Sequence, residues 1–396
     1  MQLAAIPSIH DSLAFSIWFY LMAVIGLIWL RRHFDLNKGG REPILQENEP
    51  GTPFEQLPKL SMLVAGKDEA ANIGRCIEGL LRQQYPNLQV IIINDRSTDR
   101  TGPIIDECAA KDPRLAAVHI KDLPAGWFGK NNAMAHGVKQ ATGEWLCFSD
   151  ADCAYDSPHL LAAAVRLAQR EKLGFLSVLP KLEAGTVWER IVQPVAGAIM
   201  VFWYPPQKVN SDRYPHAYAN GAFMLLSREA YDKLGGHEPV KATLNEDMHL
   251  ARRAKQVGVR LRVIRGDTLY RVRMYVGLGQ IWRGWSRIFY GCLGTFPRLL
   301  GSVAMLTFFS VGPWATLLAS PIAGPHAPWI AAAGAWAVLG QQSVMWRFYS
   351  LTRNGAAWAV TYPIGAALCV AMTINAMNRL RGATTTWRGT AYKGGA

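Results

Sequence analysis

Apolar positions follow two rhythms along this chain: unbroken runs near the ends, and short solid blocks alternating with helical spacings in the middle. The first unbroken run, Ser12 to Leu30 (SLAFSIWFYLMAVIGLIWL), is 19 residues long and carries no charge. At about 1.5 Å per residue a helix of that length matches a bilayer core, so residues 12–30 are expected to span a membrane. Three further apolar stretches, 302–322, 328–346 and 357–377, predict three more such helices. The middle one contains Gln341 and Gln342, which leaves open a helix buried among the others.

The middle of the chain reads differently. After a Gly-, Pro- and charge-rich linker (31–57) comes LSMLVA, Leu60 to Ala65, a compact apolar block of strand length. Ile73, Cys76, Ile77, Leu80 and Leu81 then fall at the spacing of one helical face. The alternation repeats: strands LQVIII, LAAVHI and WLCFS, with helices over 101–111 and 131–141. Later segments predict a strand at AFMLLS and a helix opened by NEDMHLARRA. This order predicts an α/β domain over 58–270, with a mostly parallel sheet covered by helices on both faces. Ligands bind such sheets beyond the carboxyl ends of the strands, and those ends here carry GKDE, NDRSTD and DAD. A segment mixing Trp282, Trp285, Phe289 and Tyr290 with Arg283 and Arg287 (within 271–298) predicts an amphipathic helix lying in the membrane interface.

Charge then narrows the partners. Lys and Arg number 42 against 29 Asp and Glu, a surplus of +13. Beside apolar spans, a face opposed to anionic lipid accounts for that surplus better than nucleic acid, which is set aside as a partner. Arg31 and Arg32 directly after the first run place the residues beyond them on the cytoplasmic side, and a cleaved signal peptide is disfavoured because no basic segment precedes the run. The basic residues of the 378–396 tail, Arg379, Arg381, Arg388 and Lys393, conflict with an even number of crossings, so the final one is expected to be re-entrant or partial. The six cysteines show no C-x-x-C spacing and read as reduced thiols.

Several strand ends hold candidate chemistry. Asp150 and Asp152, two apart in extended chain, point the same way; they are either a solvated acidic loop or a pair holding a hard divalent cation, Mg2+ or Mn2+. Asp95 ends the second strand block, where a carboxylate accepts from a base N–H or ribose hydroxyl; nearby Asp99 reads equally as a helix cap. Lys130 opens a helix and is either solvated or a phosphate partner. Glu246 and Asp247, after Asn245 at an N-cap position, are explained by capping or by general-base work, the helix dipole keeping them ionised. No G-x-G-x-x-G follows the first strand, which disfavours a dinucleotide-binding dehydrogenase.

Taken together, these motifs resemble family 2 glycosyltransferases of GT-A fold over roughly Leu60 to Trp285. The opening VAGKDEAANIG is similar to that family's donor-binding turn, with Asp68 where Asn is usual and Glu69 kept. GKNNA, DAD and NEDMHLARRAKQVG match its later elements. PAGWFGKNNA and RVRMYVGLGQIWRGW, with one N-terminal and about three C-terminal spans, resemble ceramide glucosyltransferases and bacterial hopanoid or carotenoid-lipid relatives. One departure stands out: the family's Gln-x-x-Arg-Trp element here reads Gln280, Arg283, Gly284, with Trp285 one place late.

The resemblance implies a membrane-anchored inverting transferase, in a bacterial inner membrane or its equivalent with the α/β domain cytoplasmic. It would move one sugar from a nucleotide-sugar donor, UDP-linked, to a lipid acceptor's hydroxyl. Polyprenyl phosphate or polysaccharide acceptors, or a non-catalytic sugar-nucleotide binder, are the alternatives. Ala65, Lys67, Glu69, Asp95, Lys130, Asp150 and Gln280 would hold the donor, and Asp150 and Asp152 the metal. Asp247 would serve as base with Glu246 positioning it, and Arg283 would close over the phosphates. Trp282, Trp285 and Asn220 would meet the acceptor.

Overall fold

The computed structural model describes residues 13–39, 44–380, 385–387 and 390–392. Ser12 and the tail charges Arg381, Arg388 and Lys393 lie outside the described residues. Helix α1 (Leu13–Gly39) leads into β1 (Leu60–Gly66), α2 (Ile73–Leu81), β2 (Leu88–Asp95), α3 (Thr101–Ala109), β3 (Leu115–Ile120), α4 (Gly129–Gln140) and β4 (Trp145–Asp150). Next come β5 (Cys153–Tyr155), α5 (Leu160–Arg170), β6 (Phe175–Leu179), β7 (Lys181–Leu182), α6 (Val187–Trp203) and α7 (Pro206–Val209). The chain continues through β8 (Met224–Ser227), α8 (Arg228–Leu234), α9 (Glu246–Gln256), β9 (Leu261–Arg265) and β10 (Tyr270–Val272). Five helices complete the order: α10 (Leu278–Leu293), α11 (Phe296–Met305), α12 (Gly312–Ala319), α13 (Ala327–Leu351) and α14 (Tyr362–Arg379).

Two compact units result, one built on residues 44–183 and 200–275, the other on α1, residues 184–199 and 276–380. The first contains a seven-stranded sheet in the order β3-β2-β1-β4-β8-β6-β9, parallel except for β8, which runs antiparallel to β4 and β6. Its strands are apolar on both sides because both sides are covered. Met62, Val64, Val90 and Ile92 pack with α2, α3 and α5, while Leu63, Ile91 and Ile93 pack with α4. The chain runs outward from β1 to β3 and then returns to place β4 on the other flank of β1. That reversal opens a crevice at the carboxyl ends of β1 and β4, where Ala65 and Asp150 are register partners.

Among the described residues of the second unit, three helical segments are long and apolar enough to cross a membrane: Leu13–Asp35, Phe296–Ile322 and Ala356–Arg379. The expected middle span, 328–346, falls within α13 and is not among them. Its Gln341 has a structural explanation. Residues Leu306–Val311 form a π-helical turn, which loosens the local carbonyl ladder. Fully buried Gln341 donates to the carbonyls of Phe309 (2.9 Å) and Ser310 (3.0 Å) and accepts from the Trp314 indole (2.7 Å). Helix α13 also lies tightly on α1. A Cβ at Gly26 would fall 2.1 Å from Trp336 Nε1, whose N–H donates to the Ala23 carbonyl at 3.2 Å.

Candidate active site

The turns after β1 and β2 are knitted together before any ligand chemistry arises. Asp68 N–H donates to Ser97 Oγ (3.0 Å), Thr98 N–H to Asp68 Oδ1 (2.8 Å), Glu69 N–H to Thr101 Oγ1 (2.8 Å) and Ala70 N–H to Asp99 Oδ2 (3.1 Å). Asp68 sits at φ 54°, a conformation that a short Asp or Asn side chain tolerates, which is why Asp serves where Asn is usual. Asp99 takes the turn-closing role: its Oδ1 accepts from Thr101 N–H at 2.9 Å. Asp95 is 2% exposed, and both its oxygens are held by Arg96 at 2.8 and 3.0 Å. Arg96 is itself at φ 54°. The expected base-reading carboxylate thus arrives already paired with a cation.

Lys130 is the hub of the next layer. The second residue of α4, it places its Nζ 2.6 Å from Asp150 Oδ1 and 2.7 Å from Glu246 Oε1. Burial works against its charge, but the Asp150 and Glu246 carboxylates outweigh that and hold the ammonium well above the usual lysine range. The cluster forms because Asn131, next along α4, donates its amide to the carbonyls of Val240 (2.7 Å), Lys241 (3.3 Å) and Thr243 (2.9 Å). That clamp draws the start of α9 against the start of α4. Asp247 completes the group: its Oδ2 accepts from Gly221 N–H at 3.0 Å and its Oδ1 from Met248 N–H at 2.7 Å.

The surroundings of Asp247 work against the ionisation that a helix start favours. Burial and the Glu246 carboxylate beside it push its pKa up to about 7, against the lowering effect of Lys130 and the two backbone N–H groups. The helix start does favour the anion, but loss of water and a like charge are larger here. Asn245 holds the N-cap position without a side-chain cap hydrogen bond, and Asp247 itself accepts from the first-turn Met248 N–H.

Asp152 has a buried, unsatisfied carboxylate oxygen: its Oδ1 has no hydrogen-bond partner among the described residues, and burial, Asp150 and Glu69 together raise its pKa to about 7. An all-oxygen, like-charged pair fits a hard divalent cation. No group of three or more His, Cys, Asp or Glu side chains that could hold a metal occurs among the described residues, so Asp150 and Asp152 would need oxygens from a bound ligand to complete a coordination shell. Cys153 is a packing residue, buried and donating to the Ala222 carbonyl at 3.6 Å.

Ala65, Lys67, Glu69, Asp95, Lys130, Asp150, Asp152, Asn220, Glu246 and Asp247 all belong to the sheet-bearing unit. Asn220 shapes the turn into β8, its Oδ1 accepting from Ala222 N–H at 2.9 Å. Gln280, Trp282, Arg283 and Trp285 belong to the helical unit, on α10. There Gln280 Oε1 accepts from Val276 N–H (2.9 Å), Arg283 is exposed, and Trp285 is buried against Phe289 with ring centroids 5.5 Å apart. Gly284, where the resemblance wants Trp, is buried.

Three residues that sequence reasoning gave no role belong to this site. A Cβ on Gly221 would lie 3.1 Å from Lys130 Nζ, so glycine leaves room for the ion cluster. Asn131 makes the clamp described above. His237 is buried, with Nδ1 2.7 Å from the Tyr231 hydroxyl; burial and the Lys130 charge push its pKa down to about 3. The Asn220–Gly221 pair before a strand was the available signal for the first; the other two needed long-range contacts.

Comparison with known proteins agrees with this geometry. Residues 61–235 match the model of glycosyl transferase family 2. A 4,4'-diaponeurosporenoate glycosyltransferase of Staphylococcus aureus strain MRSA252 is 25% identical over 256 residues, 64% of this chain and 66% of the relative. Its counterpart from strain USA300 is 26% identical over 258 residues, again 64% and 66%. The match thus spans just under two thirds of these relatives. Among solved structures, a mannosyltransferase from Pyrobaculum calidifontis in complex with GDP-Man and Mn2+ superposes with a TM-score of 0.56 at 19% identity, covering 92% of this chain and 98% of that one. The sheet order, the acidic strand ends and the matched segment converge: residues 61–235 are similar to glycosyl transferase family 2, and the chain has the fold of the GT-A glycosyltransferases.

Proposed function

We propose that the chain is a membrane-integrated, inverting glycosyltransferase that moves one sugar from a nucleotide-linked donor to a lipid acceptor at the cytoplasmic leaflet. The observation that carries this reading is the cluster of Lys130, Asp150, Glu246 and Asp247 at the strand ends, with a buried, unpartnered Asp152 oxygen among the described residues. The turn from Ala65 to Glu69 and the Asp95–Arg96 pair receive the nucleotide. Asp150 and Asp152 would hold Mg2+ or Mn2+, which would supply Lewis-acid stabilisation to the departing diphosphate. Asp247, with a pKa near neutrality, takes the acceptor proton as the hydroxyl oxygen bonds to the anomeric carbon. The bond from that carbon to the diphosphate breaks on the opposite side, its electron pair leaving with the phosphate oxygen. Glu246, held by Lys130, lies beside Asp247, which the Gly221 and Met248 N–H groups fix in place. The three apolar segments provide membrane integration, and Arg31 and Arg32 set the orientation.

A UDP-linked donor is the choice the motif resemblance favours. A carotenoid-like acceptor is supported by the substrate for which the relatives are named, with ceramide- and hopanoid-like lipids as the neighbouring classes. The test uses the purified chain in detergent with Mn2+, a panel of radiolabelled UDP- and GDP-sugars, and polar lipid extract. Label passing into the lipid phase supports the reading. Nucleotide-sugar binding with neither transfer nor hydrolysis across the panel would sink it.

A further inference from the structure

Residues 184–199 come from inside the matched family 2 segment, yet they group with the helical unit that contains the three candidate spans. They carry most of α6, whose sequence from Ile191 to Trp203 (IVQPVAGAIMVFW) has no charge. Its start is sealed by a reciprocal cap. Glu189 Oε2 accepts from Thr186 N–H at 2.5 Å, and Glu189 N–H donates to Thr186 Oγ1 at 3.4 Å, so the one carboxylate of the helix is buried and satisfied.

The helix then meets α14 backbone to side. A Cβ on Gly365 would fall 2.3 Å from the Ile191 carbonyl oxygen and 2.8 Å from Val195 Cγ2, an approach that only a glycine at 365 permits. Close approach through small residues is how helices associate inside lipid. Arg190 marks the polar end of the contact: its guanidinium carbon lies 5.3 Å from the Trp358 ring centroid and its Nε donates to the Ala184 carbonyl at 3.1 Å. An arginine on a tryptophan just before an apolar helix is the side-chain pairing of a membrane–water boundary. The surface around this end of α6 is apolar. Val187 is 55% and Trp188 40% exposed, a Cβ at Gly197 would meet nothing within 4 Å, and α14 and the turn before it present Val360 and Ile364, 63% and 52% exposed.

We infer that α6 is a further lipid-contacting helix, its Val187 and Gly197 side lying in the bilayer leaflet beside α14. The occupant of this face is bulk membrane lipid, because α6 shares a packing unit and a glycine-mediated contact with a segment that is itself apolar enough to span. This inference rests on the membrane reading proposed above. It adds that the membrane is touched from within the glycosyltransferase sequence, between the aspartates of 150–152 and Asp247, and not by its flanks alone.

Full-length chain with Cys108, the half-exposed native thiol, changed to Ser provides the background. Single variants Val187→Cys, Gly197→Cys and, as a water-exposed control, Lys139→Cys are labelled with one fluorophore and reconstituted into phosphatidylethanolamine–phosphatidylglycerol vesicles. Shallow doxyl-labelled lipid should quench the labels at 187 and 197 about twofold or more while aqueous iodide spares them, and the control should show the reverse. Labels at 187 and 197 that iodide quenches like the control would overturn the placement of α6. So would labels shielded from both quenchers, which would mean that protein covers this face. A chain that does not float with the vesicles at all would overturn the membrane reading and this inference with it.

Discussion

Asp247 gives the residue-scale account its sharpest handle. With its pKa raised to about 7, transfer should rise with pH along a limb centred there, as the base loses its proton. Asp247→Asn should lower kcat by about 10²–10⁴-fold with donor binding kept, read in a transfer assay. Glu246→Gln removes the like charge and should move the acid limb below its wild-type position, whatever happens to its height. Stability follows the same groups with a definite sign. Asp152 and Asp247 have folded pKa values near 7 against an ordinary 3.8, so the folded unit binds more protons than the unfolded chain in between. Their contribution is most favourable below that window and is lost as pH rises through it toward 7. In chemical denaturation, Asp152→Asn should flatten this slope, and Mn2+ with nucleotide should restore stability at high pH in the wild type only. Lys130→Met should cost about 3–5 kcal/mol in the same measurement, because it strands two neighbouring carboxylates.

At the scale of elements, the position of Lys130 depends on how closely α4 lies on the sheet. A Cβ at Gly137 would meet Ile93 Cδ1 at 2.8 Å and Leu63 Cδ2 at 3.0 Å. Gly137→Val should therefore lift the helix, costing about 1–3 kcal/mol in denaturant unfolding. It should also weaken donor binding, although residue 137 lies about two turns along α4 from Lys130. Elements of this kind were legible in the sequence. Doubly covered strands show as solid apolar blocks such as Val90 to Ile93, and Ile73, Cys76, Ile77 and Leu80 of α2 kept helical spacing. Helix α6 was not, since Gln193 and Pro194 interrupt its apolar run and nothing local says that it leaves the sheet for other company. In α13 the glutamine that weakened the span expectation is a partner for carbonyls about 30 residues away, a contact that no window of sequence displays. At the site, Asp150, Asp152, Glu246 and Asp247 stood out by type and spacing, whereas the Asn131 clamp and the buried His237 depend on which loop folds over which helix.

At the scale of the whole molecule, the account joins a water-soluble donor to an acceptor that stays in the bilayer. The chain should float with liposomes and resist carbonate extraction, as expected for three segments of bilayer length. A chain recovered in the soluble fraction would remove the reason for a lipid acceptor. The most direct measurement of the central claim is mass spectrometry of total lipid from cells expressing the wild-type chain, the Asp247→Asn variant or neither. The account predicts one lipid class gaining the mass of a single hexose or hexosamine with the wild-type chain alone. Identical lipid profiles in all three, from cells in which the chain is present in the membrane, would contradict it.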